Sequence, residues 1–267
     1  MSRRICRVAL LLPALLMSRA AMAQQSNVLD LAREVFNGNK DSLAQLTSLG
    51  NKGQADAQFN LGVLYANGDG VPKDAVQAVS WYRRAAEQGD ANAQFNLGVM
   101  YSRGEGVTGD AAQAVNWYRK AAEQGQADAQ FNLGVMYYRG EGVPGDIVQA
   151  VSWYRKAAAQ GEAGAQFNLG VMNANGDGVP KDAVQAANWY RKAADQGFSD
   201  AQSNLGAMYV DGVGVPKDLV AALMWRNLAA AQGNAVALGA LDPLRKEMTP
   251  GQIAEAQKLS SEWKSGK

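Results

Sequence analysis

The sequence predicts an all-α protein built from a repeated helix-turn-helix unit. The six-residue segment Ala57–Gly62 returns every 36 residues in four further copies, without insertion or deletion, and only the last copy differs, by one residue. A Trp-Tyr-Arg segment keeps the same spacing and drifts to Trp225-Arg226 in its fifth copy. A strict period of this length is typical of an α-solenoid, in which each unit packs on its neighbours.

The first 23 residues have the pattern of a cleavable signal peptide. A stretch with three arginines precedes an apolar stretch over residues 8–17, and Ala21-Met22-Ala23 resembles a signal-peptidase site. Ten residues are too few to cross a bilayer, which requires about 20. We therefore expect cleavage after Ala23 and a periplasmic or secreted protein.

The composition after this cleavage narrows the class of partner. Cys6 is the only cysteine, so the exported chain has to fold without a disulfide. It carries 22 basic and 25 acidic side chains, a balance that does not favour binding to nucleic acid or to an anionic membrane surface. No later stretch has the apolar length of a transmembrane helix, so we expect no integral membrane segment.

Residues 54–233 are predicted to form five units, 54–89, 90–125, 126–161, 162–197 and 198–233. In the first unit the apolar spacing predicts a helix over residues 57–67, capped by Asp56 and ended by Gly68. A second helix is predicted from Asp74, with Gln77 placed as in a capping box. It ends at Gly89, because glycine commonly terminates helices.

Each first helix contains an internal glycine, Gly62 in the first unit. A glycine inside a helix costs roughly 0.5–1 kcal/mol relative to alanine, so some compensating contact is needed. We predict that the second helix approaches closely and that Trp81 and Tyr82 cover the bare backbone. The tryptophans are accordingly interpreted as packing residues and not as stacking platforms for a ligand.

The ends of the array are predicted to be caps. Residues 24–53 have the spacing of a degenerate repeat and are expected to form N-terminal capping helices. Residues 234–267 begin a partial sixth unit and end in a C-terminal capping helix, which starts after Thr249-Pro250.

No catalytic residue, metal ligand or cofactor site is predicted. The chain has no histidine, which removes histidine-based triads and histidine zinc sites. Asn67, Asp69 and Asp74 do not have the spacing of an EF-hand. Gly104-x-Gly106-x-x-Gly109 matches a dinucleotide-binding pattern in its letters, but it follows a predicted helix where that motif needs a strand. We interpret it as a repeat turn.

The repeated unit, with A-Q-x-N-L-G at its start, a G-x-G-V-P loop and W-Y-x-x-A-A near its end, resembles the Sel-one-like repeat, a relative of the tetratricopeptide repeat. The resemblance covers residues 54–233, and the 36-residue period favours it over the 34-residue tetratricopeptide form. It implies a right-handed α-solenoid with a scaffold or adaptor role. A cysteine-rich branch of the family, linked to penicillin binding, does not match, because its cysteines are absent here.

The resemblance to tetratricopeptide repeats also implies that the first helices line the concave face. Six residues are predicted to bind a partner there: Phe95, Phe131 and Phe167, which would form an apolar stripe, and Arg103, Tyr138 and Arg139, which distinguish this stretch from the other copies. The other interpretation of the phenylalanines is that their rings fill the gap between adjacent repeats. Asn60 and its copies could likewise hold a ligand backbone, or they could satisfy helix ends or a neighbouring repeat.

The sequence thus favours an exported, non-catalytic scaffold that binds a protein or peptide on its concave face, without a cofactor. Two alternatives stay open. One is an envelope enzyme or small-ligand-binding protein that acts on cell-wall material. The other is a structural spacer that assembles through its end caps.

Overall fold

The computed structural model describes residues 19–264, with side chains from Gln25 onward except Ser26. Residues 1–18 of the predicted signal peptide lie outside the described residues. Within the described range the chain forms fourteen helices and no strand, which confirms the all-α prediction. The helices are α1 Arg19–Phe36, α2 Lys40–Asn51, α3 Ala55–Asn67, α4 Ala75–Glu87, α5 Ala91–Arg103, α6 Ala111–Glu123, α7 Ala127–Arg139, α8 Ile147–Ala159, α9 Ala163–Asn175, α10 Ala183–Asp195, α11 Ser199–Asp211, α12 Leu219–Ala231, α13 Ala235–Lys246 and α14 Pro250–Glu262.

Within the described residues the chain divides into two compact units, residues 19–93 and 94–264. In the first unit α1 packs on α2 and α3, and α3 pairs with α4. Val28, Leu46, Leu61 and Trp81 are buried in one core at this junction. The segment predicted as an N-terminal cap therefore supplies apolar side chains to the core of the first repeat.

The second unit is a row of helical hairpins. Helix α7 pairs with α8, α9 with α10, and α11 with α12, and the first helix of each hairpin also packs on the second helix of the hairpin before it. At the C-terminal end α12 packs against both α13 and α14. Each hairpin buries its apolar face against its neighbours, which is the arrangement of an α-solenoid.

Tyrosine rings cover four of the five repeated helical glycines, Gly62, Gly98, Gly134 and Gly170, as the cost of an internal glycine predicts. A Cβ placed on Gly134 would lie 2.7 Å from a ring carbon of Tyr154, so no larger residue fits there without displacement. The tryptophans do not share this role. Trp153 belongs to a cluster with Ala122 of the preceding repeat and Leu133 of its own repeat, so it packs between repeats.

The starts of the second helices agree with the prediction, and the starts of the first helices do not. The second helices begin at aspartate as predicted: Asp146 accepts hydrogen bonds from the backbone N–H groups of Val148 and Gln149 at 2.9 and 3.0 Å. The first helices begin two residues before the predicted position, because Gln126, and not Asp128, caps α7. Asp128 lies in the first turn, where the helix dipole favours an acidic side chain.

A buried row of glutamines was not predicted. The Nε2 of Gln130 donates to the carbonyl of Ala122 at 3.0 Å, and its Oε1 accepts from Gln160 at 2.8 Å. The contact therefore joins both helices of one repeat to the end of a helix in the preceding repeat. Four further glutamine pairs repeat the amide-to-amide bond: Gln58 with Gln88, Gln94 with Gln124, Gln166 with Gln196, and Gln202 with Gln232. Because a buried amide has to be hydrogen-bonded, these pairs fix the register between neighbouring repeats.

Candidate functional site

A pocket of about 220 Å³ lies between α7 and α9 in the second unit. Three of the six predicted binding residues, Tyr138, Arg139 and Phe167, contribute to its walls. The remaining lining residues are Val135, Tyr154, Asn168, Val171 and Met172. The other three predicted residues, Phe95, Arg103 and Phe131, do not line it.

Tyr138 forms the wall that distinguishes this pocket from the equivalent positions in other repeats. It lies near the C-terminal end of α7 and is 49% exposed, which is high for an aromatic side chain. Its counterparts at 36-residue intervals are Ala66, Ser102, Ala174 and Val210, none of which has an aromatic ring. The aromatic wall is therefore specific to the third and fourth repeats.

The floor of the pocket is a hydrogen-bonded pair. The hydroxyl of Tyr154 is bonded to the side chain of Asn168 in the next repeat, and burial raises the pKa of Tyr154 to about 12. The hydroxyl is therefore protonated at neutral pH. The same pair recurs as Tyr118 with Asn132, where burial likewise raises the tyrosine pKa to about 12. Asn132 and Asn168 thus contact a neighbouring repeat, whereas the side chain of Asn60 donates to the carbonyl of Asp56 at the start of its own helix, at 2.8 Å.

The cationic group at the rim is only weakly paired. Nη1 of Arg139 lies 3.7 Å from Oε1 of Glu141, and both side chains are more than half exposed. Arg103 makes an equivalent pair with Glu105 at 3.8 Å, one repeat earlier. Exposed pairs of this kind contribute about 0–1 kcal/mol, so a partner's carboxylate can compete for either arginine at low cost.

The phenylalanines are half-buried, and their rings pack on the tyrosines of the following helices. The ring centroids of Phe131 and Tyr154 are 6.0 Å apart, and those of Phe167 and Tyr190 are 5.8 Å apart. Phe131 also reaches the next repeat, because a Cβ on Gly164 would lie 3.0 Å from the end of its ring. Each ring therefore fills part of the gap between repeats while one edge stays accessible.

Sequence reasoning missed Tyr154 and Met172 as lining residues. Tyr154 was interpreted only as a cover for Gly134. Because its ring reaches from that glycine to the next repeat, it also borders the space between α7 and α9. The 36-residue recurrence of both the tyrosine and the asparagine was the available signal. Met172 gave no separate signal, because methionine also occupies the same position as Met100 and Met136, and all three side chains are buried.

Two further properties of the described residues bear on the site. Between residues 19 and 264, no three histidine, cysteine, aspartate or glutamate side chains come together as a possible metal site. None of the helices in that range has both the length and the apolar character needed to cross a membrane.

The fold and the pocket define a class of protein, the helical-repeat proteins that present a surface built from successive hairpins. Five consecutive copies of the Sel1 repeat match residues 55–90, 91–126, 127–162, 163–198 and 199–234. The chain belongs to the Sel1 repeat family. Sel1 repeats generally mediate protein interactions, and proteins built from them are generally non-catalytic scaffolds.

Two solved structures are similar over most of the chain. One is a protective antigen of uropathogenic Escherichia coli with an SLR fold, which is 37% identical with a TM-score of 0.79 and is matched over 91% of this chain and 54% of its own. The chain thus spans about half the length of that antigen. The other is a Sel1 repeat protein from Oxalobacter formigenes, 34% identical with a TM-score of 0.75, matched over 90% of this chain and 98% of its own. A comparison with curated proteins gave no match.

Proposed function

We propose that this chain is a scaffold that binds a protein or peptide partner through the face of the second unit that contains the pocket. The observation that carries the proposal is the pocket itself, with Tyr138, Tyr154 and Phe167 around a volume of about 220 Å³. Sites for small molecules and cofactors usually enclose about 300–1,000 Å³. The smaller volume suits one side chain of a partner, and tyrosine and arginine are enriched where interface energy concentrates.

The proposed activity is binding without turnover. The pocket supplies no group that titrates near neutral pH, because burial raises the pKa of Tyr154 to about 12. The guanidinium of Arg139 offers only hydrogen-bond donors, and the amide of Asn168 neither gains nor loses a proton. These groups can orient and hold a polar atom of a partner, but they cannot serve as a general base.

A photo-crosslinking amino acid at position 138 tests this proposal. We expect the variant to capture one defined partner from envelope extract, because Tyr138 forms an exposed wall of the pocket. The matched control carries the same group at Ser152, which is exposed on α8 and does not line the pocket. Equal capture of the same protein from both positions would remove the support for this face.

We also propose that the chain is exported, with cleavage after Ala23. The support is the basic, apolar and small-residue order of the first 23 residues. N-terminal sequencing of the mature protein from the producing cell should begin at Gln24. An intact Met1 on membrane-bound protein would contradict the proposal.

A further inference from the structure

The pocket has a counterpart two repeats further along, near the C-terminal end of the second unit, where all eight lining positions carry different residues. Counting 72 residues from four of them, Arg139 becomes Asp211, Tyr154 becomes Arg226, Phe167 becomes Gly239 and Asn168 becomes Ala240. Both members of the tyrosine–asparagine floor pair have therefore been replaced together. The result is a cation where the other repeats have a neutral hydroxyl.

Arg226 occupies the position of the tyrosine ring. A Cβ on Gly206 would lie 2.9 Å from its Cγ, just as the other helical glycines lie under tyrosine carbons. Its Nη1 donates to the carbonyl of Ala240 at 3.4 Å, which is long for a hydrogen bond. Arg226 takes part in none of the ion pairs within 4.0 Å found among residues 19–264. Most of its five N–H donors thus have no close acceptor in that range.

The space near this guanidinium is open at the position where Phe167 lies in the pocket. A Cβ added to Gly239 would meet nothing within 4 Å. At the equivalent position Phe167 fills the space with its ring and packs on Tyr190. Ala240, in turn, has no side-chain amide to offer the cation. A group from outside the chain can therefore reach Arg226.

We propose that this counterpart, formed by Arg226, Gly239 and Ala240, binds a carboxylate of the same partner whose apolar side chain enters the pocket. The inference rests on the proposed function. A guanidinium pairs with a carboxylate through two parallel hydrogen bonds, which are stronger than bonds between neutral groups. Arg226 is half-buried, and burial lowers its pKa from the usual value, so it has lost part of its hydration before a ligand arrives. Asp211 acts on it electrostatically and would oppose a second carboxylate.

The distance between the two sites sets the spacing in the partner. Neighbouring packed helices are separated by about 8–10 Å, so sites two repeats apart lie on the order of 20 Å from each other. An extended chain advances about 3.3–3.6 Å per residue. The apolar side chain and the carboxylate are therefore expected roughly six residues apart.

The probe is an acetylated, amidated peptide with phenylalanine at its first position, glutamate at its seventh and glycine and serine between them. Its matched control has glutamine in place of the glutamate. A third peptide replaces the glutamate with a glycine that has a free C-terminal carboxylate, which distinguishes a side-chain carboxylate from a chain end. Binding is followed by NMR through the methyl groups of Val135 and Val171 for the pocket and through the Nε–H of Arg226 for the counterpart.

The glutamate peptide is expected to shift both sets of signals and to bind at least tenfold more tightly than the glutamine peptide. The double variant Arg226→Tyr with Ala240→Asn restores the residues of the sister repeats, so it should fold and should lose this preference. Asp211→Asn should strengthen binding of the glutamate peptide.

Each other outcome has a distinct meaning. Equal affinity of the two peptides, with pocket signals shifted and Arg226 unmoved, would overturn the inference and leave the proposed function intact. A shift at Arg226 without one in the pocket would support a carboxylate site and contradict the pocket. An unchanged spectrum with every peptide would overturn both.

Discussion

Gly142→Ala is expected to destabilise the protein by about 2–5 kcal/mol. Gly142 has a φ of +69°, a left-handed conformation that costs a residue with a Cβ roughly 1–2 kcal/mol. Its Cβ would also lie 2.3 Å from the backbone carbonyl carbon and oxygen of Ala111, in the preceding repeat. Backbone atoms cannot rotate away, so the loop and the helix have to separate, and overpacking of this kind adds about 1–3 kcal/mol.

Gly125→Ala is the matched control for this prediction. Gly125 also has a positive φ, +93°, but a Cβ there would meet nothing within 4 Å. It should therefore lose only the conformational part, roughly 1–2 kcal/mol. Urea denaturation followed by tryptophan fluorescence measures both free energies of unfolding. Equal losses would show that the loop of one repeat does not hold the preceding repeat in place.

Trp153→Ala is expected to lower the free energy of unfolding by about 3–5 kcal/mol, as is usual when a buried large aromatic side chain is removed. The ring is buried against Ala122 and Leu133, and the ammonium of Lys156 lies 3.8 Å from its centroid. Removing it opens a cavity between two repeats and also loses the cation–π contact, which contributes about 0.5–1 kcal/mol.

Trp189→Ala provides the comparison. Trp189 has the same place in its repeat and a similar contact with Lys192, at 4.2 Å, but it is only partly buried. Its loss should be smaller than that of Trp153, because the cation–π terms are alike and the buried areas differ. Denaturation curves in which the two variants lose equal stability would contradict a cost set by burial between repeats.

The sequence period predicts much of the fold because each hairpin depends on local signals. Gly134 and Tyr154 were recognisable as partners, since a helical glycine needs a compensating contact. The start of α7 was predicted wrongly, because aspartate is a common N-cap and glutamine is not. In the structure Gln126 has the extended backbone of an N-cap, and its side chain accepts a hydrogen bond from the N–H of Ala129. Position in the array does not reveal burial either: Trp225 lies in the last full repeat, yet it is 3% exposed, and the centroids of its ring and of the Trp263 ring are 6.2 Å apart.

The pocket was less accessible to sequence reasoning than the fold. Tyr138 and Arg139 differ from their copies and could be singled out, but the pocket also requires Tyr154 and Met172, which look like ordinary packing residues. Whether they line the pocket depends on the distance between α7 and α9, and the sequence does not contain that distance. The same holds for Arg226. Its replacement of tyrosine indicates a possible binding site only when it is considered together with Gly239 and Ala240.

Titration of the captured partner against a triple variant, Arg103→Ala with Tyr138→Ala and Arg139→Ala, tests the central claim most directly. All three side chains are largely exposed, so folding should change by only about ±0.5 kcal/mol. We expect affinity to fall at least tenfold, since a loss of about 1.4 kcal/mol suffices for that. Lys120→Ala, on the exposed side of α6, should leave affinity unchanged. A silent triple variant together with weakened binding by Lys120→Ala would show that the partner binds the opposite face.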